Sequence, residues 1–483
     1  MIKIDQKLRV QPNTGSFRDP ANRVYELAES GSSNRRVLRG LNEDALNTYK
    51  KLANETFFRS ALADKKVVDT KLLNANDVEA ATIMEDGWAG VLEHEPIGFV
   101  SYPYEWSFSM LKDAALLQLE LTEQCLENGW VLKDATPYNI QWRSARPVFI
   151  DVGSFEIAKK GEPWVGYRQF CSMYLYPLMM RAHLKIDHLP LLRSYLDGIS
   201  AAEAARFFSG AKQLKKGVLS HIKFPAAVEN SISKRERDAA PAKERNSPNQ
   251  SKAMILGLVQ SLQRLVRKLT VKIDHTDWSH YEKTHSYRDK EFQTKKDFIL
   301  KHASKKRLSQ IWDLGCNTGS FSRLVQDHCD HVIALDGDHN AIEQLYLIEK
   351  EKSSTNILPM VMDLGNISPN QGWAGRERTA FDQRGKPQLV MCLALIHHMR
   401  MTASIPNALF LSWLRTLNSD VILEFVNRHD EMVVKLLTNK AEKYEDYNVE
   451  KFRTEADLLF EISDHQILKG GKRELFFLTP RDI

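Results

Sequence analysis

The sequence predicts an α/β protein built in two parts, and three observations carry that expectation. The chain has 483 residues, more than one ordinary hydrophobic core serves. Its second half alternates strand-like and helix-like runs, the pattern of a parallel sheet covered by helices. Its first half mixes short β-like runs with amphipathic helices in an α+β manner, and a charged stretch poor in aromatics separates the two. The expected organisation is a first domain over 1–222, a flexible linker or long surface loop over 223–253, and a second domain over 254–483.

In chain order, MLKDAALLQLELTEQCLENG, from Met110, has the apolar spacing of a helix, and PVFID, ending at Asp151, reads as a strand. MILGLVQSLQRLVRKL, from Met254, has helical apolar spacing and opens the second domain. SQIWDLG is then a first strand, Phe321 to Asp327 a helix, HVIALD a second strand and AIEQLYLIEKEK a second helix. ILPMVMD and QLVMCLALI supply the third and fourth strands, IPNALFLSWLRTL a helix and DVILEFV a fifth strand. LLFEISDHQILK and RELFFLTP close the chain as a pair of strands or a strand and a helix. An open sheet of this kind binds its ligand at the carboxyl ends of its strands, where the strand order switches direction.

Composition narrows the function classes. Hydrophobic content of 43% with 27% charge is that of a soluble globular chain. The N-terminus lacks the apolar stretch of a secretory signal, and no apolar run is long enough to span a bilayer, so a cytoplasmic location is expected. The five cysteines form no Cys-x-x-Cys pair and no zinc spacing, which points to reduced, buried thiols and no bound metal. The net charge of +5 is concentrated: Lys212 to Lys252 holds ten Lys/Arg against four Asp/Glu. The rest of the chain is close to neutral, so no basic face for nucleic acid is implied.

The strongest motif is IWDLGCNTGSFS, Ile311 to Ser322. A strand runs into Asp313, and Gly315 and Gly319 then flank a tight loop holding Asn317 before a helix begins. Glycine there admits positive φ and close approach of a ligand to the main chain. Asp336 ends the second strand 23 residues after Asp313, where a carboxylate can accept both hydroxyls of a ribose. Asp338 reads as a helix cap, and Asp363, at the end of the third strand, is placed to accept from an exocyclic amine of adenine. The loop reads G-x-x-x-G and lacks the G-x-G-x-x-G register of dinucleotide sites. Together these segments resemble the class I S-adenosylmethionine-dependent methyltransferases, whose domain is Rossmann-like. The resemblance covers about Asp277 to Ile483. It implies that the loop Asp313–Gly319 wraps the methionine part of S-adenosyl-L-methionine, that Asp336 holds its ribose and that Asp363 lies near its adenine. Trp278, Tyr281 and Tyr287, just upstream, are either a lid over that cofactor or aromatics packed on the sheet.

Methyl transfer needs an aligned nucleophile, exclusion of water and often removal of a proton. His397 and His398, after the fourth strand, are the candidate bases or substrate contacts, the alternative being plain hydrogen bonding to backbone. Glu424, in the fifth strand, is a further acid at the ligand edge, while Asp430 reads as a helix cap. Gln388 stands where the resemblance implies an acid. Leu395-Ile396-His397-His398 replaces the acid–Pro–aromatic signature of nucleobase amino-methylating enzymes, which favours oxygen or carbon acceptors.

The first half carries its own constellation in VLKDATPYNIQWRSARPVFIDVGSFE: Asp134, Asn139 and Asp151. Two acids and an amide at this spacing resemble the catalytic loop and metal-binding segment of kinase-like phosphotransferases, which use Mg2+ and ATP. Leu132 and Lys133 replace the usual His and Arg, no phosphate-binding glycine loop precedes them beyond Gly15-Ser16-Phe17, and Arg39 is the nearest stand-in for the usual lysine. The resemblance therefore implies a kinase-like domain that is either degenerate or active. The whole chain, through SYPYEWSFSMLKDAALL, LKDATPYNIQW, PVFIDVGSFE, WVGYRQFC and DLGCNTGSFS, is similar to methyltransferase-like proteins related to a rhizobial host-specific nodulation protein. That similarity implies O-methylation of a saccharide, a lipo-oligosaccharide or a small metabolite. The alternatives are a bifunctional kinase–methyltransferase and a non-enzymatic module with an occupied cofactor core.

Overall fold

The computed structural model describes residues 10–28, 35–238, 251–272, 289–352, 356–437, 444 and 446–482. They fall into two compact units: Met1–Trp142, Pro147–Lys272 and Gly372–Arg378 make the first, and Arg143–Arg146, Ile273–Gln371 and Thr379–Ile483 the second.

The first unit carries an antiparallel sheet of five strands: β1 (Gln11–Pro12), β2 (Asn22–Ala28), β3 (Arg35–Leu41), β4 (Thr70–Leu72) and β5 (Gly90–His94). Their spatial order is β1-β2-β3-β5-β4. Alternation puts successive side chains on opposite faces. Tyr25, Leu27, Leu38 and Val91 meet Ala80 and Ile83 of the helix Val78–Met84 in one cluster, so Arg39, next to Leu38 in β3, points to the other face. The 20-residue helix Phe108–Glu127 is the long element of this unit. It is followed by β6 (Trp130–Leu132), β7 (Ile140–Arg143), β8 (Arg146–Phe149) and β9 (Phe155–Ile157), with β6 and β9 paired antiparallel.

Two boundaries differ from expectation. The start of the expected linker is helical over Phe224–Asp238, and residues 239–250 of it lie outside the described residues. The helix Lys252–Lys268 belongs to the first unit, not to the second as its position after the linker suggested. Its buried stripe Ile255, Val259, Leu262 and Val266 recurs every three to four residues and packs on the helix Phe108–Glu127. Lys112 of that long helix closes its C-terminal end, donating to the carbonyls of Arg267 (3.0 Å) and Leu269 (2.8 Å).

The second unit holds a seven-stranded sheet: β10 (Leu308–Leu314), β11 (Cys329–Asp336), β12 (Ile357–Val361), β13 (Leu389–Cys392), β14 (Asp420–Val426), β15 (Phe460–Ile467) and β16 (Arg473–Pro480). The order is β12-β11-β10-β13-β14-β16-β15. The first five are parallel, and β16 returns antiparallel beside β14 and pairs antiparallel with β15. This is a doubly wound, Rossmann-like sheet whose order reverses between β10 and β13, and it is at the carboxyl edge beside such a reversal that open sheets of this kind bind their ligands. β10, β12 and β13 are buried on both faces, as parallel strands covered by helices must be.

The fourth strand is shorter than its apolar run. β13 stops at Cys392, Ala394 turns with φ of +50°, and Ile396–Met401 is a helix. Leu393, Leu395 and Ile396 are buried all the same, and apolarity alone does not separate a buried strand from a buried helix. His397 and His398 are thus helical residues. β12 likewise ends at Val361, two residues before Asp363.

Candidate functional site

The loop after β10 is shaped by three left-handed residues, Gly315 (φ +77°), Asn317 (φ +52°) and Gly319 (φ +78°). Gly315 and Cys316 donate their N–H groups to the Leu335 carbonyl at 2.8 and 2.9 Å, tying the loop to the end of β11. A side chain at Gly319 would be strained at this φ and would meet Leu345 Cδ1 at 2.5 Å. Asp313 is buried beneath the loop and accepts the Ser322 hydroxyl at 2.6 Å. Burial pushes its carboxyl up to about 6, against the pull of Ser322 and Lys295.

Asp336 closes β11 and faces the same loop. One carboxylate oxygen accepts Asn317 N–H at 2.8 Å, the other Asp338 N–H at 2.8 Å. Each oxygen has a second lone pair, so amides orient this carboxylate without saturating it. Burial pushes its pKa up, while those amides pull it down. The adjacent main chain is bare: a Cβ on Gly337 would find nothing nearer than 3.8 Å. Asp338 caps the helix His339–Lys352, accepting the Asn340 N–H at 2.8 Å. Asp363 is exposed, and its carboxylate accepts the Gly365 N–H at 2.8 Å in a local turn. Asp313, Gly315, Asn317, Gly319 and Asp336 therefore meet around one loop, while Asp363 stands at the rim.

Across the loop, His397 is 1% exposed, and among the described residues neither ring nitrogen has a hydrogen-bond partner. Its ring lies 4.1 Å from that of His398. Burial, then His398 and Arg473, holds the His397 imidazole neutral, and burial pulls His398 down to about 4. Glu424 is buried within β14, two residues before the strand ends at Val426 rather than at its end as the sequence suggested, and is not a lone acid. It accepts Lys295 Nζ at 2.5 Å on one oxygen and Arg473 Nη1 at 3.3 Å on the other. Arg473 continues to Asp430 at 2.8 and 3.3 Å, so Asp430 is an ion-pair partner as well as a cap for Met432 N–H.

Neither Lys295 nor Arg473 belongs to a recognisable motif in the sequence. Lys295 shares the helical spacing of Ile299 and of His302 and Ala303 on the buried face of the helix Asp289–Ala303, and that period was its one legible signal. Trp278, Tyr281 and Tyr287 lie outside the described residues.

The first unit assembles its own polar cluster. Arg39, buried, donates to Asp151 Oδ1 and Asn22 Oδ1 at 2.7 Å each, and its Nε lies 3.2 Å from His94 Nε2. Asn139 donates to the other oxygen of Asp151 at 3.4 Å. Burial and the charge of Asp151 push the Asp134 carboxyl up. Lys133 is committed to Asp19 at 2.7 Å. Among the described residues no group of His, Cys, Asp or Glu has metal-holding geometry. The five cysteines are free and buried. No described helix is long and apolar enough to cross a membrane.

No family model matches the chain. It is 30% identical over 470 residues, 96% of this chain and 94% of the relative, to the nodulation protein NoeA of Rhizobium meliloti (strain 1021). Among solved structures it is similar to the N-methyltransferase NodS from Bradyrhizobium japonicum WM9 in complex with S-adenosyl-L-homocysteine (13% identity, 46% of this chain, 98% of that one, TM-score 0.31). It is also similar to the magnesium protoporphyrin IX methyltransferase ChlM from Synechocystis PCC 6803 (12%, 52% and 95%, TM-score 0.28). A third is WbdD (16%, 45% and 46%, TM-score 0.29).

Proposed function

The chain belongs to the family of the nodulation protein NoeA, and from that premise we propose that it is an S-adenosyl-L-methionine-dependent methyltransferase acting on a hydroxyl of a saccharide, lipo-oligosaccharide or small metabolite. The observation that carries this reading is Asp336: a carboxylate oriented by loop amides, with lone pairs to spare, at the carboxyl edge of a doubly wound sheet, on the strand next to its reversal point. Such a group takes a ribose diol. Gly315, Asn317 and Gly319 hold the main chain open beside it, Asp313 supports the loop from below through Ser322, and Asp363 serves the adenine end from the rim.

When bound, the cofactor supplies an electrophilic methyl group on a sulfonium. The chain's part is to orient the acceptor, exclude water and take its proton. His397 suits that last task, as a neutral imidazole whose nitrogens have no partner among the described residues. His398, whose imidazole burial pulls down to about 4, stands beside it and assists in orienting the acceptor. A glycan or small-molecule acceptor in the cytoplasm, and no nucleic acid, completes the reading. Calorimetry with S-adenosyl-L-homocysteine tests it: Asp336→Ala should bind about 10- to 100-fold more weakly, the worth of charge-assisted hydrogen bonds. Unchanged affinity would sink the assignment.

A second reading, a kinase-like phosphotransferase in the first unit, is favoured by one observation: Asp134, Asn139 and Asp151 do gather, with Arg39 of β3 on Asp151. It requires a thermal shift with Mg2+ and ATP that Asp151→Ala abolishes. Without a shift in the unaltered chain, the cluster is a structural remnant.

A further inference from the structure

Large apolar side chains gather on the outside of the first unit in one stretch of chain: Phe207, Leu214, Leu219, Phe224 and Val228, with Leu214 79% and Phe224 70% exposed. The helix Phe224–Asp238 opens with a wide π-turn over Leu219–Lys223, in which the Phe224 N–H returns to the Leu219 carbonyl. A turn of this width sets Leu219 over Phe224, and Val228 follows one ordinary turn later, so these side chains form one outward stripe. His221, Ile222 and Ala226 form the buried stripe opposite. Lys223 donates to the Ala205 carbonyl at 2.8 Å and Glu229 accepts the Ala202 N–H at 3.2 Å, which lays the helix Ala201–Phe207 antiparallel alongside. Phe207 therefore ends near Leu219, and the turn Gly210–Leu214 packs against the same π-turn.

Charge marks the same surface. From Ala204 to Val228 the chain carries Arg206, Lys212, Lys215, Lys216 and Lys223, and no Asp or Glu. Lys223 is committed to Ala205, and the others are exposed. The acids that flank the stretch are occupied by the fold: Glu203 accepts the Ser200 hydroxyl at 2.8 Å, and Glu229, besides Ala202, lies 3.8 Å from Arg168 Nε. A contiguous apolar patch on a protein surface marks a place that something covers. Surfaces that bind another protein are depleted in lysine. Here lysines surround the stripe, and Phe and Leu standing among cations is the composition that enters the headgroup layer of an anionic membrane.

We propose that this face of the first unit docks on an anionic lipid surface, with Leu214, Leu219 and Phe224 entering the headgroup layer and Arg206, Lys212, Lys215 and Lys216 facing the lipid phosphates. The docking goes beyond the methyltransferase reading and does not rest on it.

The test is co-sedimentation of the full chain with vesicles of phosphatidylcholine alone and of phosphatidylcholine with about a third phosphatidylglycerol. The unaltered chain should bind the mixed vesicles and leave the neutral ones, because each cation near an anionic surface is worth about fivefold in affinity. Raising salt from about 0.1 to about 1 M, which shortens the Debye length from about 10 to about 3 Å, should release it. Leu214→Ser combined with Phe224→Ser should weaken binding about 10-fold or more. Lys212→Glu, Lys215→Glu and Lys216→Glu together should weaken it about 100-fold. All these positions are exposed, so the urea midpoints of both variants should match that of the unaltered chain. Failure of the unaltered chain to bind the mixed vesicles overturns the proposal, and needs no variant to fold. So does equal binding to both kinds of vesicle, or binding that neither variant weakens. A dimer of the unaltered chain that Leu214→Ser with Phe224→Ser takes apart also overturns it, since the stripe is then an interface between two copies.

Discussion

The two units both gather acids beside a sheet, but they hold them differently. Asp336 of the second unit is oriented by two backbone amides, which carry no net charge, so its own charge stays available to a ligand. Asp151 of the first unit is held by the Arg39 guanidinium, which cancels that charge, and Asn139 takes the other oxygen. A cation arriving at Asp151 has to compete with Arg39, whereas a sugar hydroxyl arriving at Asp336 finds an acceptor already aimed. The lesson is that residue type and spacing do not make a site. The charge of whatever orients the acid decides what it can still bind.

The largest effect that sharpens this comparison is expected at Glu424. Glu424→Ala would leave Lys295 and Arg473 buried beside an empty place, and removing one partner of a buried pair costs roughly 3–5 kcal/mol. Urea denaturation should find that loss. Next comes pH. The folded state raises the Asp313 carboxyl to about 6 from 3.8, so the protonated form is the one that folding favours. Its contribution is complete below about pH 4 and is lost as pH rises through 6, amounting to at most about 3 kcal/mol. Asp313→Asn should therefore remove a decline in stability between pH 4 and 6 that the unaltered chain shows. Parallel pH profiles of the two chains would refute the burial argument.

Asp151→Ala should cost less, about 1–3 kcal/mol, because the Asp151 side chain is 20% exposed and water can reach the stranded guanidinium. A loss as large as that of Glu424→Ala would break the distinction between the two units. The smallest expected change is Asp338→Ala, about 1 kcal/mol, the usual worth of a helix cap, with little change in ligand affinity because Asp338 orients the helix His339–Lys352 rather than the ligand. A loss of affinity as large as that of Asp336→Ala would place Asp338 in the site.

The alternation of strand and helix, the glycine loop with its flanking acids, and Asp336 at a strand end were determined by the sequence itself. Each is a local property: hydrophobic period, positive φ at glycine, a carboxylate at the end of an apolar run. The spacing of Asp134, Asn139 and Asp151 was legible for the same reason. What only the tertiary structure decided is which side chains meet. Lys295 reaches Glu424 across 129 residues of sequence, and Arg473 reaches it across 49. The helix Lys252–Lys268 packs on Phe108–Glu127 because its apolar stripe fits there, although its position in the chain suggested the other unit. The run through Leu395 and Ile396 became a turn and a helix, since burial rewards apolar residues in either conformation and only the neighbours choose between them. Charge pairing and packing depend on distances in space, and a one-dimensional pattern carries no distance beyond a few turns of its own backbone.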